Sequence, residues 1–141
     1  MTVAAGFRIK TGKAIVIAVE TTDAAPKIID RREIALSDPN VEESFQPYHA
    51  GLDAGGEEAP VVIRACTAVM AASGTSFQQW LDELPTAPVR IGIVVNNLND
   101  PTRIGNDHIR AHALEGKLFY EAVEAAAGNA SIESLVVIER D

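Results

Sequence analysis

The feature that most limits the fold is the run Ala14-Ile15-Val16-Ile17-Ala18-Val19, uninterrupted in its apolar character and mostly β-branched, directly behind the turn Lys10-Thr11-Gly12-Lys13. Gly12 supplies the positive φ of a tight hairpin turn, so Thr2 to Ile9 and Ala14 to Glu20 are predicted to pair as a β-hairpin. A strand with one solvated face alternates apolar and polar residues. This run does not, and it is expected to be covered on both faces inside an α/β sheet. Thr22-Asp23-Ala24-Ala25-Pro26 makes the next turn, and Lys27 to Leu36 reads as a third strand. Asp30, Arg31, Arg32 and Glu33 in its middle place it at a sheet edge, where charge blocks pairing with another molecule.

From Ser37 to Glu58 no period persists, and Pro39, Pro47, Gly51, Gly55 and Gly56 mark a long irregular connection. Connections of that length usually carry function. Glu57 and Glu58 ahead of Pro60 open a helix predicted to run to about Ser73 and to stop at Gly74. Arg64 is its only charge between Val61 and Ala72. A helix apolar nearly all round is buried on more than one side, here by the sheet and by the following segment or a second subunit. Ser76-Phe77-Gln78-Gln79 has capping-box spacing and predicts a second short helix, Phe77 to Leu84, with Trp80 as its anchor. Val89 to Val95 is a buried strand and Asn96 to Asn106 a polar loop. Asp107 to Ala127 is a long helix stopped by Gly128-Asn129, and Ile132 to Ile138 a last strand.

The order is β-β-β-α-(α)-β-α-β: an α/β fold with a single mixed β-sheet and helices on its faces, residues 1–141 forming a single domain without internal repeats. That order resembles the ribonuclease H-like fold, and within it the resolvase-like branch that includes the Holliday-junction resolvases. In that family the first strand carries a catalytic Asp ahead of a Gly-containing turn, and the second strand leaves directly from the hairpin. Ala4-Ala5-Gly6-Phe7-Arg8-Ile9-Lys10-Thr11-Gly12-Lys13-Ala14 is similar to that opening without its acid, since no acidic residue precedes Glu20. The resemblance implies several carboxylates holding two metal ions for phosphoryl displacement. With the first-strand Asp absent and Asn96-Asn97 at the end of the fourth strand, the expectation is a catalytically silent ribonuclease H-like domain that acts through binding. No glycine-rich phosphate turn of the actin-like branch is present either, and fold alone does not imply function.

Charge and composition narrow the partners. A net charge of −8 and a pI near 4.8 oppose binding to phosphate backbones, and the densest basic groups are only Arg8-Ile9-Lys10 with Lys13, and Arg31-Arg32. The N-terminus lacks a signal-peptide pattern and no uncharged apolar stretch reaches the roughly 18 residues of a membrane span, so a soluble cytoplasmic protein without a membrane partner is expected. The lone Cys66 cannot form an internal bridge. It sits in an apolar run with no cationic cluster and reads as a small hydrophobe.

The most specific chemical feature is Asn106-Asp107-His108-Ile109-Arg110-Ala111-His112-Ala113-Leu114-Glu115. On a helix, His108, His112 and Glu115 share one narrow sector, continued by Phe119, Ala122 and Ala126, and can reach one divalent metal. The competing reading leaves His108 at the surface and pairs His112 with Glu115 or with the sheet's backbone. A zincin signature is excluded, because Ile109 stands where its Glu belongs. Ligands of open α/β sheets bind outside the carboxyl ends of strands, and the loop Asn96 to Asn106 would deliver Asn96, Asn97, Asp100, Thr102 and Arg103 to that crevice. The same loop also reads as a solvated turn. In Phe45-Gln46-Pro47-Tyr48-His49-Ala50, the aromatics either anchor the long connection or wall a pocket, with His49 joining His112 as an acid/base pair. Glu20, Glu139 and Asp141 are further acids within possible reach. No nucleophile elbow or phosphate loop occurs.

Two functions follow. One is a binding or scaffold protein, homodimeric through the Pro60 to Ala72 helix and open to a protein partner or small ligand. The other is a small metal-dependent enzyme or small-ligand binder at the carboxyl end of the fourth strand.

Overall fold

The computed structural model describes residues 2–139. The hairpin forms as predicted, β1 (Thr2–Lys10) pairing antiparallel with β2 (Lys13–Thr21), and Gly12 takes φ 71° in the turn. β3 (Lys27–Ala35) adds antiparallel to β2 as the charged edge strand. β4 (Arg90–Val95) pairs parallel with β1, and β5 (Glu133–Ile138) parallel with β4, giving one five-stranded mixed sheet in the order β3-β2-β1-β4-β5. Two crossovers build the rest. Between β3 and β4 run a 3₁₀ turn (Glu42–Phe45), α1 (Pro47–Leu52) and α2 (Pro60–Glu83); between β4 and β5 run a 3₁₀ turn (Pro101–Arg103) and α3 (Asp107–Asn129).

The core lies where alternate residues of the central strands meet α2 and α3. Val3, Phe7, Val16, Ile91 and Ile93 from the sheet, with Val69, Phe77 and Trp80 from α2 and Phe119 and Val123 from α3, are all 2% exposed or less. Phe7 sits at the centre of an aromatic triad, its ring 5.5 Å from Phe77 and 4.9 Å from Trp80.

Two expectations are corrected here. The Ala14 to Val19 run is buried on one face only: Ala14, Val16 and Ala18 are fully covered, whereas Ile15, Ile17 and Val19 are half-buried. On that second face Arg8, Leu135 and Val137 are exposed, and a Cβ added at Gly6 or Gly92 would meet nothing within 4 Å. The second correction concerns α2, which does not break at Ser73-Gly74 but continues to Glu83, absorbing the predicted second helix. Burial outweighs the local stop signal. Ser73, Phe77 and Trp80 extend the stripe begun by Val62, Ala65 and Val69, and the Ser73 hydroxyl donates to the Leu36 carbonyl at 3.4 Å. A helical Gly costs about 1 kcal/mol, less than the several kcal/mol from burying Phe77 and Trp80. α2 has the length and composition of a membrane-crossing helix, yet this stripe packs against the sheet and α3.

The connection after β3 is more ordered than its sequence predicts. Phe45, though half exposed, lays its ring so near Gly12 that a Cβ there would come within 2.6 Å of it. The aromatic thus holds the connection against the β1–β2 turn and presents α1 to α3.

Candidate metal centre and cleft

α3 begins where Asn106 accepts a hydrogen bond from the Ile109 N–H at 3.0 Å. Its first turns place His108, His112 and Glu115 one above another, as positions four and three residues apart require. His108 and His112 are exposed, while Glu115 is 4% exposed, the most deeply buried acid of the described residues. A buried carboxylate needs partners. Glu115 finds them on α1, not on its own helix.

α1 starts at Pro47 without a side-chain cap of its own. Glu115 Oε2 accepts the backbone N–H groups of Tyr48 at 3.0 Å and His49 at 2.9 Å, satisfying the free donors of that first turn from another helix. The same carboxylate lies 2.8 Å from His49 Nδ1. A carboxylate on Nδ1 keeps the proton there and leaves Nε2 as the free ring nitrogen. That Nε2 is buried and has no hydrogen-bond partner among the described residues.

The other two imidazoles stand against the His49 ring. The His49 ring centroid is 4.8 Å from that of His108 and 4.3 Å from that of His112, and those two are 4.9 Å apart. One ring nitrogen from each lies within 4.8 Å of the others. The chain has only these 3 histidines, and all of them converge on this point. In a tetrahedral zinc site, ligand nitrogens about 2.0–2.1 Å from the metal stand roughly 3.3 Å from one another. His108 and His112 are exposed, and rotation of their side chains is what a closer approach would require.

Neighbouring contacts hold α1 and the start of α2 to α3. Arg110 pairs with Glu57 at 2.6 Å. Burial pushes both the Tyr48 phenol and the Cys66 thiol up. Cys66 therefore stays a protonated thiol, in keeping with its reading as a small hydrophobe.

On the other flank of α3 lies a cleft of about 580 Å³. Its floor is the switch point of the sheet, where the parallel strands β1 and β4 end side by side and their chains leave in opposite directions. Lys10 and Thr11 from the hairpin, Asn96 to Asp100 from the loop after β4, and His112, Glu115, Lys117 and Tyr120 from α3 line it. Asp100 caps the 3₁₀ turn by accepting from the Thr102 N–H and hydroxyl, which lower its pKa.

Of the residues singled out in the sequence, Asn96, Asn97, Asp100, His112 and Glu115 face one cleft, and His49 and His108 join His112 beside it. Glu115 binds His49 instead of completing a trio with His108 and His112. Arg103 points outward, with its side chain 88% exposed. Glu20 pairs with Val3, at the opposite end of the sheet from Lys10, and Glu139 is bound to Arg8 at 2.8 Å. Asp141 lies outside the described residues. Sequence reasoning missed Lys10, Thr11, Lys117 and Tyr120. The two lysines are the only basic residues lining the cleft, but without the cleft they read as ordinary solvated charges.

No family model and no curated protein matches the chain. Solved structures do. The Thermus thermophilus RuvC structure superposes with a TM-score of 0.56 at 9% identity over 97% of this chain and 64% of that one. T. thermophilus RuvC in complex with a Holliday junction substrate gives 0.55 at 10%, over 98% and 65%. An Aquifex aeolicus member of the Ppx/GppA family gives 0.46 at 11%, over 97% and 35%. The chain spans just under two thirds of the RuvC chains. At these identities the likeness concerns the fold alone: the five-stranded mixed sheet with its helices is similar to that of the RuvC structures.

Proposed function

We propose that this domain binds a single borderline transition-metal ion, zinc being the best match, through His49 Nε2, His108 and His112, and presents that ion beside the cleft as a ligand-binding or catalytic centre. One observation carries the reading: all 3 histidines converge, and one of them, His49, has a buried, unpartnered Nε2 and an Nδ1 held by a buried carboxylate. Carboxylate-backed imidazole is the usual outer-shell arrangement of metal-ligating histidine. Three protein nitrogens leave a tetrahedral ion one open position, as catalytic zinc sites do.

This centre differs from a two-metal carboxylate site. β1 carries no acid, and the cleft offers only Asp100 and Glu115, the second already engaged by α1. The residues present do not fit that chemistry, so nuclease activity is not part of the reading. Imidazole ligands favour zinc, cobalt or nickel over magnesium and calcium. Titration of chelator-treated protein is expected to show one zinc per chain, no response to magnesium, and loss of the zinc in His112→Ala. Equal zinc uptake by the variant would sink the proposal.

A second reading, self-association through α2, is supported by Ile63 and Met70, which are 59% and 42% exposed two turns apart on that helix. Sedimentation at tens of micromolar is expected to show a dimer that Met70→Glu dissociates. A monomeric wild type would dispose of this second reading and leave the metal centre untouched.

A further inference from the structure

We infer that the cleft beside the histidine cluster takes a small oxyanion, a carboxylate or phosphate group, held by Lys10 and Lys117 and completing the coordination of the metal; this rests on the metal-binding reading above.

The chain carries a net −8, yet the only basic side chains lining this cleft are two lysines, which approach it from different elements, Lys10 from the end of β1 and Lys117 from α3. Lys10 is half-buried and forms no salt bridge among the described residues, and Lys117 has only a loose contact of 3.8 Å with Glu121. Against them stand two acids, both occupied. Asp100 is turned into its own loop by Thr102, and Glu115 is spent on α1 and His49. Both carboxylates stay charged, so the cleft is not net positive; the two ammonium groups are the cleft's charged side chains without a close ion-pair partner, and an anion would meet its charge there.

Geometry joins this charge to the metal. His112 belongs both to the histidine cluster and to the cleft wall, so an ion on its ring borders the cleft. Asn96, Asn97 and Asn99 supply amide donors, and the Tyr120 phenol, kept neutral by burial, supplies another. A single oxyanion uses all three kinds of partner: one oxygen on a cation, the others on ammonium and amide donors. The cleft volume of about 580 Å³ admits a small metabolite and no folded chain.

The test is calorimetric titration of oxalate and, separately, inorganic phosphate into zinc-loaded protein, into metal-free protein, and into zinc-loaded Lys10→Ala/Lys117→Ala. The expected result is binding of at least one of the two anions by zinc-loaded wild type and about tenfold weaker binding by each of the other two forms. The double variant should keep its zinc affinity within about twofold, which shows that it folds and that only the anion site has changed. The arm that responds identifies carboxylate or phosphate as the group recognised. Absence of anion binding by zinc-loaded wild type, or binding unaffected by loss of the lysines or of the metal, would overturn the inference. If wild type binds no zinc, the metal-centre reading fails with it; if zinc binds and the anion response does not depend on the lysines, only this inference fails.

Discussion

Glu115 is the residue on which the site depends. It contributes in two ways, closing the first turn of α1 through the Tyr48 and His49 amides and orienting the His49 ring. Glu115→Ala leaves those donors buried without a partner and is expected to cost about 2 kcal/mol, a fall of several degrees in Tm. The same change is expected to weaken zinc binding by 10- to 100-fold, the usual effect of removing an outer-shell carboxylate. Glu115→Gln separates the two roles, because an amide oxygen still accepts from the backbone while its charge and one acceptor oxygen are lost. It should recover most of the stability and little of the zinc affinity. Paired thermal-shift and zinc titrations check this, and full recovery of both would show the carboxylate's charge to be irrelevant.

At the scale of elements, the same substitution is expected to have opposite signs at two glycines. Gly74 lies within α2 with open space at its Cβ position, so Gly74→Ala should stabilise by about 0.5–1 kcal/mol. Gly12 has φ 71° and the Phe45 ring against it, so Gly12→Ala should destabilise by more than about 1 kcal/mol. Urea unfolding of both variants decides; destabilisation at Gly74 would mean that α2 is broken there. The two positions also show how far the elements were legible. Gly12 declares its turn because positive φ is a local requirement, and the strands around it follow from their apolar pattern. Gly74 misleads because a local stop signal competes with burial of Phe77 and Trp80, which only the assembled sheet provides. α1 was invisible for a related reason: its first turn is closed by Glu115, a residue 66 or more positions away. The stripe of His108, His112 and Glu115 was legible from helical spacing, but the division of labour among them was not, since it depends on where His49 docks.

For the whole molecule, the fold places two open features on either side of α3, a histidine cluster toward α1 and a polar cleft with two lysines at the switch point of the sheet. The likeness to the RuvC structures is one of fold, and the polar residues at the ends of β1 and β4 here are Lys10, Asn96 and Asn97. Fold alone does not fix a function, and the side chains gathered here that could carry one are the three histidines. The most direct test is an anomalous difference map at the zinc edge from crystals of the zinc-loaded protein. The account predicts one strong peak per chain, about 2.0–2.1 Å from ring nitrogens of His49, His108 and His112. A map with no peak there, or with zinc held instead by surface carboxylates, would contradict it.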